Sequence, residues 1–107
     1  MSDAELERDL RRFREDYLRK LPGKMAAFEA LLRGEREVPR ERLEEARRLA
    51  HTFKGTSGSF GLDEICAEFR RIEELLDRML GGAASGFPAE WNQIDCALTR
   101  VKEILGR

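Results

Sequence analysis

Apolar side chains recur every three or four residues along most of the chain, which is the spacing that places them on one face of a helix. The periodic segments are separated by proline, glycine or short polar stretches. They predict helices at about residues 4–20, 22–33, 39–59, 63–80 and 88–105. Ala, Leu, Glu and Arg are abundant and β-branched residues are scarce, so the composition also favours helix throughout.

The breaks between these segments predict the architecture. Pro22-Gly23 interrupts the first stripe, so we expect one helix to end there and a second to begin at the proline. Loops are expected at 34–39 and at the small-residue stretch 81–86. No repeat or composition shift divides the chain. The sequence therefore predicts a single all-α domain over 1–107, an antiparallel four-helix bundle with an additional N-terminal helix.

The charge balance excludes several classes of partner. The 107 residues include 20 basic and 21 acidic side chains, which leaves a net charge of −1 and no basic patch for nucleic acid or a membrane surface. The first residues are too charged for a signal peptide, and no apolar run is long enough to span a bilayer. We therefore expect a cytoplasmic, monomeric domain that binds neither nucleic acid nor membranes.

The only histidine, His51, lies on a helix flank rather than in the core stripe. The stripe of the third segment is centred near Ala50, and His51 is rotated from it by roughly 100°. Lys54, Gly55 and Gly58 follow at intervals that keep them on the same flank. Each glycine within a helix costs about 1 kcal/mol relative to alanine, so two of them beside His51 require a reason. Clearance for a bulky partner that approaches the imidazole is the simplest one.

These residue types suit a phosphoryl acceptor. A neutral imidazole is a nucleophile at pH 7, and Lys54 can offset charge on phosphoryl oxygens one helical turn away. No glycine-rich nucleotide motif is present, so we expect no bound cofactor and no metal, with ATP and Mg²⁺ supplied by partner domains. A zinc site formed by His51, Cys66 and Cys96 lacks a fourth ligand and is disfavoured. Whether the chain counts as an enzyme is left open by the sequence.

The run from His51 to Gly61, with Phe53, Lys54-Gly55, Ser57-Gly58 and Phe60-Gly61 at fixed positions, resembles the signature of histidine-containing phosphotransfer (HPt) domains of two-component signalling. The resemblance covers essentially the whole chain. It is closest to the N-terminal phosphotransfer domain of chemotaxis histidine kinases of the CheA type, because of Phe60-Gly61-Leu62 and of the segment 72–77.

The resemblance implies roles for individual residues. His51 would be phosphorylated on Nε2, Lys54 would stabilise the phosphoryl group, and Glu73 would hold Nδ1 of the imidazole. Gly55 and Gly58 would give access to partners. Arg47 and Leu62 are further candidates for docking contacts.

The resemblance also implies partners, namely the ATP-binding domain of a histidine kinase as donor and the receiver domain of a response regulator as acceptor. The alternatives are a stand-alone phosphorelay protein or, in a different class, a helical adaptor or dimerisation module that is not phosphorylated.

Overall fold

The computed structural model describes residues 2–32, 38–82 and 88–107, and every regular element in these ranges is a helix. The described residues form four helices in chain order: α1 (Asp3–Leu32), α2 (Arg40–Ser59), α3 (Asp63–Gly81) and α4 (Pro88–Leu105). The predicted all-α class is confirmed. The predicted loops at 34–39 and 81–86 lie largely outside the described residues.

The predicted break at Pro22-Gly23 is wrong, because α1 continues through both residues. Proline removes one backbone hydrogen bond, yet Pro22 and Gly23 lie on the exposed side of the helix. Leu21 and Met25 are almost fully buried on either side of them. Continuous burial of this stripe outweighs the local cost of the proline, so one long helix replaces the predicted pair and the separate N-terminal helix is not found.

The first half of α1 is not part of the core. Leu6, Leu10 and Phe13 are 48%, 50% and 58% exposed, although their spacing matches that of a buried stripe. The 30 residues of α1 span about 45 Å, whereas the 20 residues of α2 span about 30 Å. Residues 3–16, the N-terminal extension from here on, therefore run past the end of the bundle.

Burial in the rest of α1 and in the other helices follows the apolar stripes. Beginning at Tyr17, the core takes the inward face of each helix, and its members are Tyr17, Leu21, Met25, Phe28, Leu43, Ala46, Ala50, Phe53, Ile65, Phe69, Ile72, Leu75, Leu76, Met79, Ile94, Ala97, Leu98 and Val101. The buried hydroxyl of Ser57 lies 2.9 Å from that of Tyr17, which satisfies both polar groups and ties α1 to α2.

A tight turn reverses the chain between α2 and α3. Gly61 adopts a φ of +71°, a left-handed conformation that glycine enters at little cost. The amide of Leu62 donates to the carbonyl of Ser57 at 2.9 Å, and the amide of Gly61 donates to that of Gly58 at 3.0 Å. These two bonds form a Schellman cap that ends α2 and sends α3 back alongside it.

Candidate functional site

His51 lies at the middle of α2 on the flank that faces α3. Its side chain is 63% exposed, whereas the preceding Ala50 is fully buried. Because Ala50 lies in the buried stripe, the next residue along the helix, His51, points about 100° away from the core, toward solvent. This is the placement that the helix pattern predicted.

Glu73 on α3 holds one nitrogen of the imidazole. Its two carboxylate oxygens lie 2.9 and 3.2 Å from Nδ1 of His51. An ionised carboxylate accepts hydrogen bonds and cannot donate them, so the proton of a neutral imidazole is on Nδ1. Nε2 is then the nitrogen that carries the free lone pair, on a side chain open to solvent.

The same carboxylate also binds Lys54. Nζ of Lys54 lies 2.9 Å from Oε2 of Glu73, and the lysine side chain is 27% exposed. Glu73 itself is only 8% exposed, so two cationic or polar hydrogen donors compensate a nearly buried charge. Lys54 is therefore at the site, and its ammonium is engaged by Glu73.

Arg47 forms the outer edge of the cluster. Its guanidinium bonds the carboxylate of Asp77 and reaches Oε1 of Glu73 at 3.9 Å. Both Arg47 and Asp77 are partly exposed. Glu73 is therefore surrounded by Arg47, His51 and Lys54 of α2, and Asp77 of α3 pairs with Arg47 beside it.

Competing effects set the pKa of Glu73. Partial burial raises the pKa of Glu73. The hydrogen bonds from Lys54 and His51, together with their charges, lower the pKa by more than burial raises it, so it lies below its ordinary value. The carboxylate remains ionised throughout the neutral range. It can accept the Nδ1 proton of His51 at any pH at which the imidazole is a nucleophile.

The two glycines of the flank differ in their surroundings. Nothing lies within 4 Å of a Cβ built on Gly55, so that position faces open space. A Cβ on Gly58 would lie 3.3 Å from Sγ of Cys66 on α3. Gly58 therefore lies where α2 approaches α3, and a methyl group there would require Sγ of Cys66 to shift by a few tenths of an ångström, a contact that the sequence did not reveal.

One helix register explains these contacts, including those the sequence did not predict. His51 faces Glu73, Arg47 four residues earlier faces Asp77 four residues later, and Gly58 seven residues later faces Cys66 seven residues earlier. Each residue advances a helix by the same distance of about 1.5 Å, so in an antiparallel pair a residue n positions after His51 on α2 lies opposite the residue n positions before Glu73 on α3. Once the first pair is assigned, the other two follow from it.

Leu62, the other candidate docking residue, lies in the turn before α3. It is partly buried against the core, and its carbonyl accepts the amide of Cys66 at 2.8 Å. It lies eleven residues beyond His51, at the end of the bundle rather than beside the imidazole. Any part it plays in docking would be at the rim of the site.

The described ranges contain no group of three His, Cys, Asp or Glu side chains placed to hold a metal ion. Cys66 and Cys96 are both free thiols, the first partly buried and the second exposed. Among the helices described, none has the length and apolar character needed to cross a membrane.

A family comparison agrees with this arrangement. The family model described as the Hpt domain matches residues 12–105, which is most of the chain. No match was found among curated proteins or among solved structures.

Proposed function

This chain belongs to the Hpt domain family, and we propose that His51 is the residue that carries its phosphoryl group. Membership gives the chain a histidine phosphotransfer role in two-component signalling, in which such domains interact with kinases and response regulators. The observation that supports His51 is its bond to Glu73: a deeply placed carboxylate holds Nδ1 while the rest of the ring stays exposed.

The forward step uses the free lone pair of the imidazole. Nε2 attacks the γ-phosphorus of ATP held by a donor kinase, the N–P bond forms, and the bond from phosphorus to the ADP oxygen breaks. The ring gains positive charge as the lone pair is used. Glu73 accepts the Nδ1 hydrogen throughout, and its negative charge stabilises the ring at that moment.

The return step uses the same hydrogen bond. A receiver aspartate attacks the phosphorus, the N–P bond breaks, and its electron pair returns to Nε2. With Nδ1 still protonated the departing ring is neutral, so it leaves more readily than an anion would. If the Lys54 ammonium leaves Glu73, it can stabilise the negative charge on the phosphoryl oxygens. The open face at Gly55 would give both partners access to the imidazole.

We place the donor and the acceptor by chemical class. The donor is the ATP-binding domain of a histidine kinase, which brings ATP and Mg²⁺, and the acceptor is a response-regulator receiver domain. The segments 60–62 and 72–77 support the finer proposal that this is the phosphotransfer domain of a chemotaxis histidine kinase. A stand-alone phosphorelay carrier would use the same site.

Radiolabelled ATP and a competent histidine kinase test the proposal. The wild-type domain should acquire label that is lost in acid and retained in alkali, as expected of a phosphoramidate. His51→Gln should keep the helical circular dichroism and take no label. Thr52→Ala, a change at the adjacent exposed residue, is the matched control and should label normally. Label that persists in His51→Gln would overturn the assignment of His51, whereas a wild-type domain that takes no label would favour the adaptor that is not phosphorylated.

A further inference from the structure

The N-terminal extension presents an apolar stripe that no described part of the chain covers. Leu6, Leu10 and Phe13 are each about half exposed, and they continue the seam that enters the core at Tyr17. An isolated helix of this length is marginal in water and usually depends on packing along its apolar face. Three large side chains in line at intervals of four and three residues have the spacing with which one helix packs along a second helix.

We propose that the extension pairs with the extension of a second copy of this chain, antiparallel, to form a homodimer. The charges along the helix favour this occupant. Residues 3–9 carry four acids and one base, for a net charge of −3, whereas residues 10–16 carry three arginines and two acids, for a net charge of +1. An antiparallel pair places the acidic half of each copy beside the basic half of the other. A parallel pair would place like charges together.

The position of the bundle also selects the antiparallel arrangement. The exposed stripe and the buried residue Tyr17 lie on one face of α1, so the bundle lies on the same side as the stripe. In a parallel pair both bundles would be at the same end, each on the side of the facing helix, and they would overlap. In an antiparallel pair they lie at opposite ends of the contact and leave the two extensions free to meet.

A groove at the end of the bundle can receive the partner helix. It has a volume of about 320 Å³ and is lined by Glu7, Leu10, Arg11, Arg14, Ser59 and Phe60. When the extensions overlap fully, the acidic half of the second copy lies beside residues 10–16, so its Leu6 reaches this groove. The two arginines of the groove then flank an acidic segment.

The interface is small and distant from His51. Fourteen residues of helix from each copy bury less than the roughly 800 Å² per partner of a standard interface, so we expect a dissociation constant on the order of tens of micromolar. The sequence led us to expect a monomer, because the spacing of Leu6, Leu10 and Phe13 is that of residues buried in the core of their own chain. The proposed dimer differs from that expectation because the structure leaves these residues exposed. None of its contacts includes the site around His51, so loss of dimerisation and loss of phosphorylation are separate outcomes.

Sedimentation equilibrium from about 5 to 500 µM tests the pairing. The wild-type chain should pass from monomer to dimer over this range, and the dimer should weaken by at least about threefold when salt is raised from about 50 mM to 500 mM. The double variant Leu10→Glu/Phe13→Glu should stay monomeric, and its bundle should unfold at the same urea concentration as that of the parent monomer, since both side chains are exposed and lie outside the core. Glu15→Ala, on the opposite face of the same helix segment, is the control and should dimerise as the parent does.

Reversing the charges in either half of the N-terminal extension tests whether the two extensions pair antiparallel. Replacing Arg11, Arg12 and Arg14 by Glu makes the whole extension acidic, and replacing Glu5, Glu7 and Asp9 by Lys makes it basic. Each variant alone should be monomeric, and their equimolar mixture should form a heterodimer. A wild-type chain that stays monomeric at 500 µM would overturn the proposal, as would a dimer that survives Leu10→Glu/Phe13→Glu or a mixture that fails to associate.

Discussion

Lys54 and Glu73 form an ion pair of 2.9 Å across the groove between α2 and α3, on the carboxylate that also holds His51. The lysine is therefore not a free cation waiting beside the imidazole. Before it can contact a phosphoryl group it has to leave Glu73, whose carboxylate would then keep the hydrogen bond from His51 and, more distantly, the charge of Arg47. The ion pair stabilises the unphosphorylated site, whereas the proposed role belongs to the phosphorylated one.

Removing the charge of Lys54 should affect both states. Lys54→Met keeps the aliphatic stem and should slow transfer from the donor kinase about tenfold, because one cation near the phosphoryl oxygens is lost and water replaces it in part. It should also lower the free energy of unfolding by about 1 kcal/mol, because Glu73 loses its lysine partner. Quench-flow labelling and urea denaturation measure the two effects.

Lys102→Met provides the matched control for that variant. Lys102 on α4 also pairs with a carboxylate, Oε1 of Glu29, at 2.7 Å, but on another face of the bundle. Its replacement should leave the transfer rate unchanged. Equal transfer rates for Lys54→Met and the parent would contradict a role for Lys54 on the phosphoryl group, whatever its effect on stability.

The tautomer of His51 should depend on Glu73. In the parent, nitrogen NMR of the neutral ring should show Nδ1 protonated and Nε2 unprotonated, because the ionised carboxylate can only accept. Glu73→Ala should give a mixture of the two tautomers and slow phosphorylation about tenfold or more. Docking to the kinase, measured by calorimetry, should change little because Glu73 is nearly buried.

Glu74→Gln is the matched control for the tautomer experiment. Glu74 is the next residue on α3 and is exposed, so its neutralisation should leave both the nitrogen spectrum and the rate of phosphorylation as they are in the parent. A mixed tautomer population in the parent itself would mean that Glu73 does not orient the ring.

Acid should weaken the fold partly through Glu73. Because the folded pKa of this carboxyl lies below its unfolded value of about 4.3, its contribution to stability is complete above that value. The contribution is lost as the pH falls through the folded pKa. Denaturation with urea at pH 7 and at about pH 3 should therefore show that Glu73→Gln destabilises the chain at neutral pH and much less in acid. A difference that is equal at both pH values would mean that the loss comes from packing rather than from charge.

The sequence predicted the position of His51 on its helix better than it predicted α1. The stripe in α2 was sufficient to place His51 on an exposed flank, since the direction of the buried stripe sets the directions of all the remaining side chains on the helix. The assignment of Glu73 came from resemblance, and the structure adds its contacts with His51 and Lys54. Local pattern failed at Pro22, because the burial of residues on both sides of a proline is a property of the whole bundle.

The contacts of Asp77 and Cys66 required the relative register of two helices. Periodicity gives the inward face of each helix but not the sliding of one along the other, so periodicity alone pairs neither residue. The pairing of His51 with Glu73 that the resemblance implies would have supplied the register. The exposed stripe at Leu6, Leu10 and Phe13 shows the converse limit. Its spacing is that of a core, and only the length of α1 relative to α2 leaves it uncovered.

The two glycines near His51 should separate clearance from helix packing. Gly55→Ala adds a methyl group in open space and should raise the free energy of unfolding by up to about 1 kcal/mol. Gly55→Leu should fold equally well and yet slow transfer with both partners, because the added side chain occupies the face they approach. Transfer at the parent rate in Gly55→Leu would show that this face is not the docking surface.

Gly58 should respond differently because of Cys66. A Cβ at position 58 requires Sγ of Cys66 to move by a few tenths of an ångström, so Gly58→Ala should gain about 1 kcal/mol less than Gly55→Ala does. In a Cys66→Ala background that contact is absent, and Gly58→Ala should then stabilise as Gly55→Ala does. A double-mutant cycle measured by urea denaturation gives the coupling, and the cycle of Gly55 with Cys66 is the control with an expected coupling near zero. No coupling between positions 58 and 66 would mean that the helices already have room for a methyl group, and partner access would remain as the reason for both glycines.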